Sequence, residues 1–121
     1  MYQANRASGT DFEGKPIFAG GENTIAVFAI NQNTGEPTLI QNIDTQGISA
    51  RTFALDTSSR ILVAANQVPF LVRREPKVTT VPASLAVYRV RDDGKLDFIR
   101  KYDVEATNNK SLFWMGLVAL P

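Results

Sequence analysis

The sequence contains no cysteine and no histidine among its 121 residues. Without cysteine the chain forms no disulfide and performs no thiol chemistry, which fits a reducing compartment. Without histidine a zinc site would need carboxylates alone, and a Ser-His-Asp triad would need an imidazole from elsewhere. We therefore expect no metal and no other cofactor.

The sequence also has no large excess of either sign of charge and no long apolar run. The 13 basic and 12 acidic residues give a net charge of +1, which provides no electrostatic basis for binding nucleic acid or an anionic membrane. No apolar run approaches the roughly 20 residues of a membrane-spanning helix, and residues 1–6 lack the apolar segment of a signal peptide. These features predict a cytoplasmic protein.

Short segments rich in β-branched and aromatic residues predict an all-β fold. Two connections between predicted strands, residues 7–23 and 68–83, are longer than a hairpin needs, and we interpret both as loops. No segment has the 3.6-residue period of an amphipathic helix. The predicted strands are residues 2–5, 24–30, 38–43, 52–55, 61–65, 84–90, 95–102 and 112–120.

An internal repeat relates the two halves of the chain. Residues 24–28 correspond to residues 84–88, which lie 60 positions later. Residues 35–40 correspond to residues 94–99, which lie 59 positions later. A repeat of this length with three or four short strands predicts blades of a β-propeller.

We letter the strands of a blade a to d in chain order. The chain is then predicted to contain two blades of a partial propeller. Residues 1–56 contain strands b, c and d of the first blade and the start of the next, residues 50–105 form the second blade, and residues 111–121 form a terminal strand. The predicted fold class is thus all-β, with two four-stranded antiparallel blades.

Two blades cannot close a ring, because propellers have at least four. We therefore expect the chain to be the C-terminal part of a longer protein, or to self-associate through exposed blade faces. Those faces would carry Ile25, Val27 and Phe28 into water.

Five segments carry a resemblance to a known family: residues 2–6, 23–28, 34–39, 47–56 and 62–67. Together they resemble the seven-bladed β-propeller lactonases of the 6-phosphogluconolactonase and carboxy-muconate lactonizing enzyme type. The resemblance implies hydrolysis of a small lactone, such as a phosphosugar lactone, in a central cleft. A lactonizing isomerase and a non-catalytic propeller fragment that serves as a binding or scaffold module remain alternatives.

Arg51 is the candidate catalytic residue. The family motif has Pro-Arg where this sequence has Ala50-Arg51, and the resemblance implies that this arginine shares the cleft with a Glu and a His from earlier blades. A guanidinium can stabilise the negative charge that develops on a lactone carbonyl and can bind carboxylate or phosphate. The alternative is a structural arginine in a blade turn. A monomer of this chain alone is expected to be inactive, because the acid–base partners are missing.

Four residues at the ends of the b strands are candidate substrate-binding residues. Arg6 and Gln67 occupy equivalent positions near the predicted channel, although hydrogen bonds between blades would also explain them. Asn5 and Asn66 recur in both copies, which favours a role in the repeat itself. Glu22, in the first long connection, is a weaker candidate for a general base.

Overall fold

The structure is a computed structural model that describes residues 1–107 and 110–121. In this part of the chain the regular structure is entirely β, in three open sheets, so the predicted all-β partial propeller is confirmed. None of the described residues forms a helix that could cross a membrane. The strands are β1 (Tyr2–Asn5), β2 (Gly9–Phe12), β3 (Lys15–Phe18), β4 (Thr24–Ile30), β5 (Pro37–Asp44), β6 (Ala50–Leu55), β7 (Ile61–Asn66), β8 (Phe70–Arg74), β9 (Lys77–Val81), β10 (Ala83–Val90) and β11 (Leu96–Val104).

Two of the sheets are the predicted blades. The first sheet has the strand order β1-β4-β5, which are strands b, c and d. The second has the order β6-β7-β10-β11, which are strands a to d, and every pairing in both sheets is antiparallel. The described part of the first blade thus has three strands rather than four.

The repeat is visible in backbone detail as well as in sequence. The β4–β5 pairing shifts register between Val27 and Phe28, and the β10–β11 pairing shifts at the equivalent place, between Val87 and Tyr88. The turn of each hairpin contains a glycine with positive φ, Gly35 in one copy and Gly94 in the other, because the left-handed conformation carries no steric penalty for glycine. The two blades therefore share one local geometry.

The hydrophobic core lies between these two sheets, which pack face to face. Ile25 and Val27 of β4 are fully buried there, 0% and 1% exposed, against Leu62 of β7 and Tyr88 of β10. The expectation that Ile25 and Val27 would face water is therefore wrong. Alternate residues of a strand point to opposite faces, and this face of β4 is covered by the second blade.

Side-chain hydrogen bonds to backbone carbonyls join the same two sheets at their rims. The Tyr88 hydroxyl donates to the Asp44 carbonyl at 2.7 Å, and the Tyr2 hydroxyl donates to the Gly94 carbonyl at 2.7 Å. Burial, and secondarily the negative charge of Asp44, raise the pKa of Tyr88, so its hydroxyl remains a donor. The Gln41 side chain makes two hydrogen bonds to the Leu96 backbone. Its Nε2 donates to the Leu96 carbonyl, and its Oε1 accepts from the Leu96 amide.

The two long connections are not loops, which corrects the interpretation made from the sequence. Each contains a hairpin, and the two hairpins combine into a third sheet of order β2-β3-β8-β9, joined by a parallel pairing of Ile17 with Leu71. The strands were missed because they are only four or five residues long and lack a clear alternation of apolar and polar residues. The signal that could have found the first hairpin is Glu13-Gly14, where both residues have positive φ as a two-residue turn requires.

The expected terminal strand is also absent, because residues 110–121 form no strand in the structure. A strand needs a partner edge, whereas this segment has one backbone hydrogen bond to the blades, from the Leu112 amide to the Gln67 carbonyl at 2.9 Å. Four of its apolar side chains, those of Phe113, Trp114, Val118 and Leu120, are exposed. Self-association through exposed blade faces stays a prediction.

The hydrogen bond of Tyr88 across the core gives a test of the blade packing. We expect Tyr88→Phe to lower the free energy of unfolding by about 1 kcal/mol, because the Asp44 carbonyl loses its donor. Tyr102→Phe is the matched control, since this ring is half exposed and its change should stay within about 0.5 kcal/mol. Urea unfolding of the two variants measures the difference, and equal losses would contradict the assigned role of Tyr88.

Candidate anion-binding cleft

Arg6 and Arg51 lie at the wall of one open hollow of about 500 Å³. They meet because β1 and β6 are edge strands of the two blades and lie next to each other. Arg6 directly follows β1, and Arg51 is the second residue of β6, so both side chains belong to the same rim. The structure thus brings together the candidate catalytic residue and one candidate substrate-binding residue. The other lining residues are Ala4, Ala50, Thr52, Phe113 and Trp114.

Phe113 packs on the face of the Arg51 guanidinium. The guanidinium carbon lies 3.9 Å from the centre of the ring, which is within the range of a cation–π contact. A stacked guanidinium keeps its N–H groups free at the edge, where an anion can be bound by two hydrogen bonds. Phe113 therefore restricts Arg51 without occupying its donors.

The sequence did not point to Phe113 and Trp114 as members of the site. Both belong to the segment that was expected to form a terminal strand, and nothing in their sequence context indicates a contact with Arg51. Trp114 is 80% exposed at the mouth of the hollow and is the single tryptophan of the chain. The cleft therefore has a cationic wall and an aromatic wall.

The turn that leads into β6 is built around the buried side chain of Asn66. Its Nδ2 donates to the Thr45 carbonyl at 2.8 Å and to Ser84 Oγ at 2.9 Å. Gly47 packs directly on this side chain, and a Cβ at Gly47 would lie 2.6 Å from Asn66 Cγ. The glycine is required because any side chain would collide with the amide that holds the turn.

Asn5 and Asn66 make the same contact in the two copies of the repeat. Asn5 Nδ2 donates to Thr24 Oγ1 at 3.0 Å, as Asn66 Nδ2 donates to Ser84 Oγ. Asn66 is fully buried, and its Oδ1 has no hydrogen-bond partner among the described residues. Neither asparagine lines the hollow that contains Arg51. The observed geometry assigns both a role in joining strand b to strand c.

Gln67 contacts the blade turn through its backbone. Its amide donates to the Ser49 carbonyl at 3.0 Å, and its carbonyl accepts from the Leu112 amide. Its side chain does not line the hollow of Arg6 and Arg51. Gln67 therefore fixes both the turn before β6 and the segment that carries Phe113, while a contact with substrate stays a prediction.

No carboxylate lines the hollow among the described residues. Glu22, the candidate general base, instead faces Asn5, Thr24 and Asn42, whose side chains donate to it over 3.3–3.4 Å. Within the described ranges, no three Asp or Glu residues converge closely enough to hold a metal ion. The arrangement suits binding of an anion or polarisation of a carbonyl group, and its described lining contains no carboxylate that could accept a proton.

The fold and the cleft describe a β-propeller protein with a cationic site at the rim of adjacent blades. The family model described as "Lactonase, 7-bladed beta-propeller" matches residues 1–73 of the chain. The match covers more than half of the sequence and includes Arg6 and Arg51, and the chain belongs to this family. No curated protein and no solved structure gives a significant match.

The close packing of Gly47 against Asn66 predicts a large effect of a small substitution. Gly47→Ala should lower the free energy of unfolding by about 1–3 kcal/mol, because the added methyl group collides with a buried amide that cannot move. Gly116→Ala is the control, since its nearest neighbour is the exposed Trp114 ring, and its effect should stay within about 0.5 kcal/mol. Equal midpoints of the two variants in urea would contradict the assigned packing.

Proposed function

We propose that this chain forms the cationic wall of a lactone-binding cleft in a sugar-lactone hydrolase of the 6-phosphogluconolactonase type. The observation that carries the proposal is the convergence of Arg6 and Arg51 on one hollow. Family membership supplies the reaction class, and the two guanidinium groups suit a substrate with an anionic group and a polarised carbonyl. A cytoplasmic location belongs to the same proposal.

In this proposal Arg51 acts by electrostatics. When water attacks a lactone carbonyl, negative charge develops on the carbonyl oxygen, and a fixed cation beside it lowers the barrier. The stacked Phe113 ring keeps the guanidinium plane in place before the substrate arrives, so less freedom is lost on binding. Arg6 binds the phosphate or carboxylate of the same molecule.

The proton acceptor for the attacking water must come from outside this hollow, because its described lining contains only arginine, threonine and apolar side chains. Hydrolysis by the whole family member thus depends on groups that other blades contribute. The chain on its own binds the ligand without turning it over.

A second candidate function is a non-catalytic binding module. The observation that favours it is the same lack of a carboxylate in the described lining, together with an exposed aromatic wall that suits binding better than chemistry. A lactonizing isomerase would use the same cleft with a different substrate. Binding by the isolated chain is common to all three, and turnover by the whole protein separates them.

The binding prediction uses Trp114 as its reporter, because it is the single tryptophan and lies at the cleft. Titration with 6-phosphogluconate should change its fluorescence, and Arg51→Gln should weaken binding by about tenfold to a hundredfold, the loss of a charged hydrogen-bond pair. Arg100→Gln is the matched control, since Arg100 also stacks on an aromatic ring, that of Tyr102, but lies on β11.

Equal affinities of the Arg51→Gln and Arg100→Gln variants would overturn the proposal. The same preparations should open 6-phosphogluconolactone no faster than buffer does. A rate above the buffer rate that disappears in Arg51→Gln would contradict the stated need for an external proton acceptor.

A further inference from the structure

Asn23 joins the loop after β1, which contains Arg6, to the loop before β6, the strand that carries Arg51. Its Oδ1 accepts a hydrogen bond from the Ser49 amide at 2.7 Å and another from the Ala7 amide at 3.3 Å. Ala7 directly follows Arg6, and Ser49 precedes Arg51 by two residues. We propose that Asn23 is a positioning residue, which fixes the distance between Arg6 and Arg51 and thereby sets the affinity for an anion that contacts both. The inference rests on the proposed function of the cleft.

Asn23 is itself held in place, as a positioning residue must be. Its carbonyl accepts from both the amide and the hydroxyl of Thr45, at 2.9 and 3.0 Å, and Thr45 is fully buried. The Thr45 carbonyl in turn accepts from Asn66 at the centre of the turn. An acceptor anchored in this way presents its oxygen at a fixed point between the two loops.

The repeat indicates that a blade does not need this contact. The residue equivalent to Asn23 in the second copy is Ala83, one position before Ser84, and alanine has no side-chain acceptor. Ala83 is nevertheless the first residue of a fully formed β10. Residues that both copies share, such as Asn5 and Asn66, serve the blade, whereas Asn23 is present in the first copy and replaced by Ala83 in the second.

The backbone of Ser49 explains how the contact reaches Arg51. Ser49 has φ of +63°, a left-handed conformation that is uncommon for residues other than glycine. Such a conformation persists only where neighbouring contacts enforce it. The hydrogen bond to Asn23 is one of these contacts, so its loss would allow Ser49 to relax and β6 to begin with Arg51 displaced.

Hydrogen exchange without any ligand tests the link between the loops. Asn23→Ala should raise the exchange rates of the Ala7 and Ser49 amides together, by about tenfold each for the loss of a bond of average strength. Asn23→Asp keeps the acceptor and should leave both amides protected, and Asn23→Ser serves if the alanine variant does not fold. Acceleration of one amide alone, or the same acceleration in Asn23→Asp, would overturn the proposed link.

The control for this experiment is Asn31→Ala. Asn31 Oδ1 also accepts from two backbone amides, those of Asn33 and Thr34, but in the exposed turn between β4 and β5. Its substitution should leave the Ala7 and Ser49 amides unchanged. The Asn31→Ala variant also measures how much stability is lost when an asparagine that accepts two backbone hydrogen bonds is replaced away from the cleft.

A double-mutant cycle separates positioning from a merely structural role. If Asn23 sets the distance between the arginines, Arg6→Gln should weaken binding of 6-phosphogluconate much less in the Asn23→Ala background than in the native chain, because the two sites are coupled. The same cycle with Asn31→Ala should be additive. Additive effects of Asn23→Ala and Arg6→Gln would overturn the positioning role.

The two experiments distinguish failure of the proposal from failure of the proposed function. If the native chain does not bind 6-phosphogluconate, the function assigned to the cleft is wrong, while the exchange rates still decide whether Asn23 joins the loops. If binding occurs but the cycle is additive, the function stands and Asn23 is structural.

Discussion

The contact on which the rest of the structure depends is the packing of the first blade on the second. The apolar face of β4 is covered by β7 and β10, so that Ile25, Leu62 and Tyr88 lose all contact with water. Burial of each such side chain contributes about 1.5–3 kcal/mol. The pairing of the blades therefore removes from water the apolar face that either sheet alone would expose.

The same packing creates the cleft. Because the blades lie face to face, their edge strands β1 and β6 come side by side, and the residues at one end of these strands share a rim. Polar contacts then fix the positions of the turns, which apolar packing alone leaves less well defined. The buried amide of Asn66 holds the turn before β6, and the side-chain Oδ1 of Asn23 links that turn to the chain after β1.

The chemistry of the cleft follows from its composition. Two arginines and two aromatic rings form a surface that suits the proposed binding of an anion, and its described lining contains no carboxylate. Such a division of labour is consistent with a propeller, in which neighbouring blades contribute different side chains to one central site. In the proposed function, the residues of this chain supply binding and charge stabilisation, and other blades supply the proton acceptor.

Local patterns in the sequence determined the strands of the two blades, their order and their equivalence. β-Branched runs, glycine turns and a repeat of 60 positions are short-range signals, and they correctly placed β4, β7, β10 and β11. The place of Arg6 after strand b singled it out, whereas Arg51 was singled out by the resemblance to the lactonase family. The local patterns failed for the third sheet, since its strands have little alternation and are defined by a pairing between two distant hairpins.

Only the tertiary structure decided which side chains surround the arginines. The position of Phe113 on Arg51 depends on a coil segment held by a backbone bond to Gln67, and the role of Asn23 depends on two loops 42 positions apart, those of Ala7 and Ser49. Such contacts leave no periodic trace in the sequence, because each depends on a single side chain meeting a backbone group from another part of the chain. The sequence thus determined the blades, and the packing of the blades determined the site.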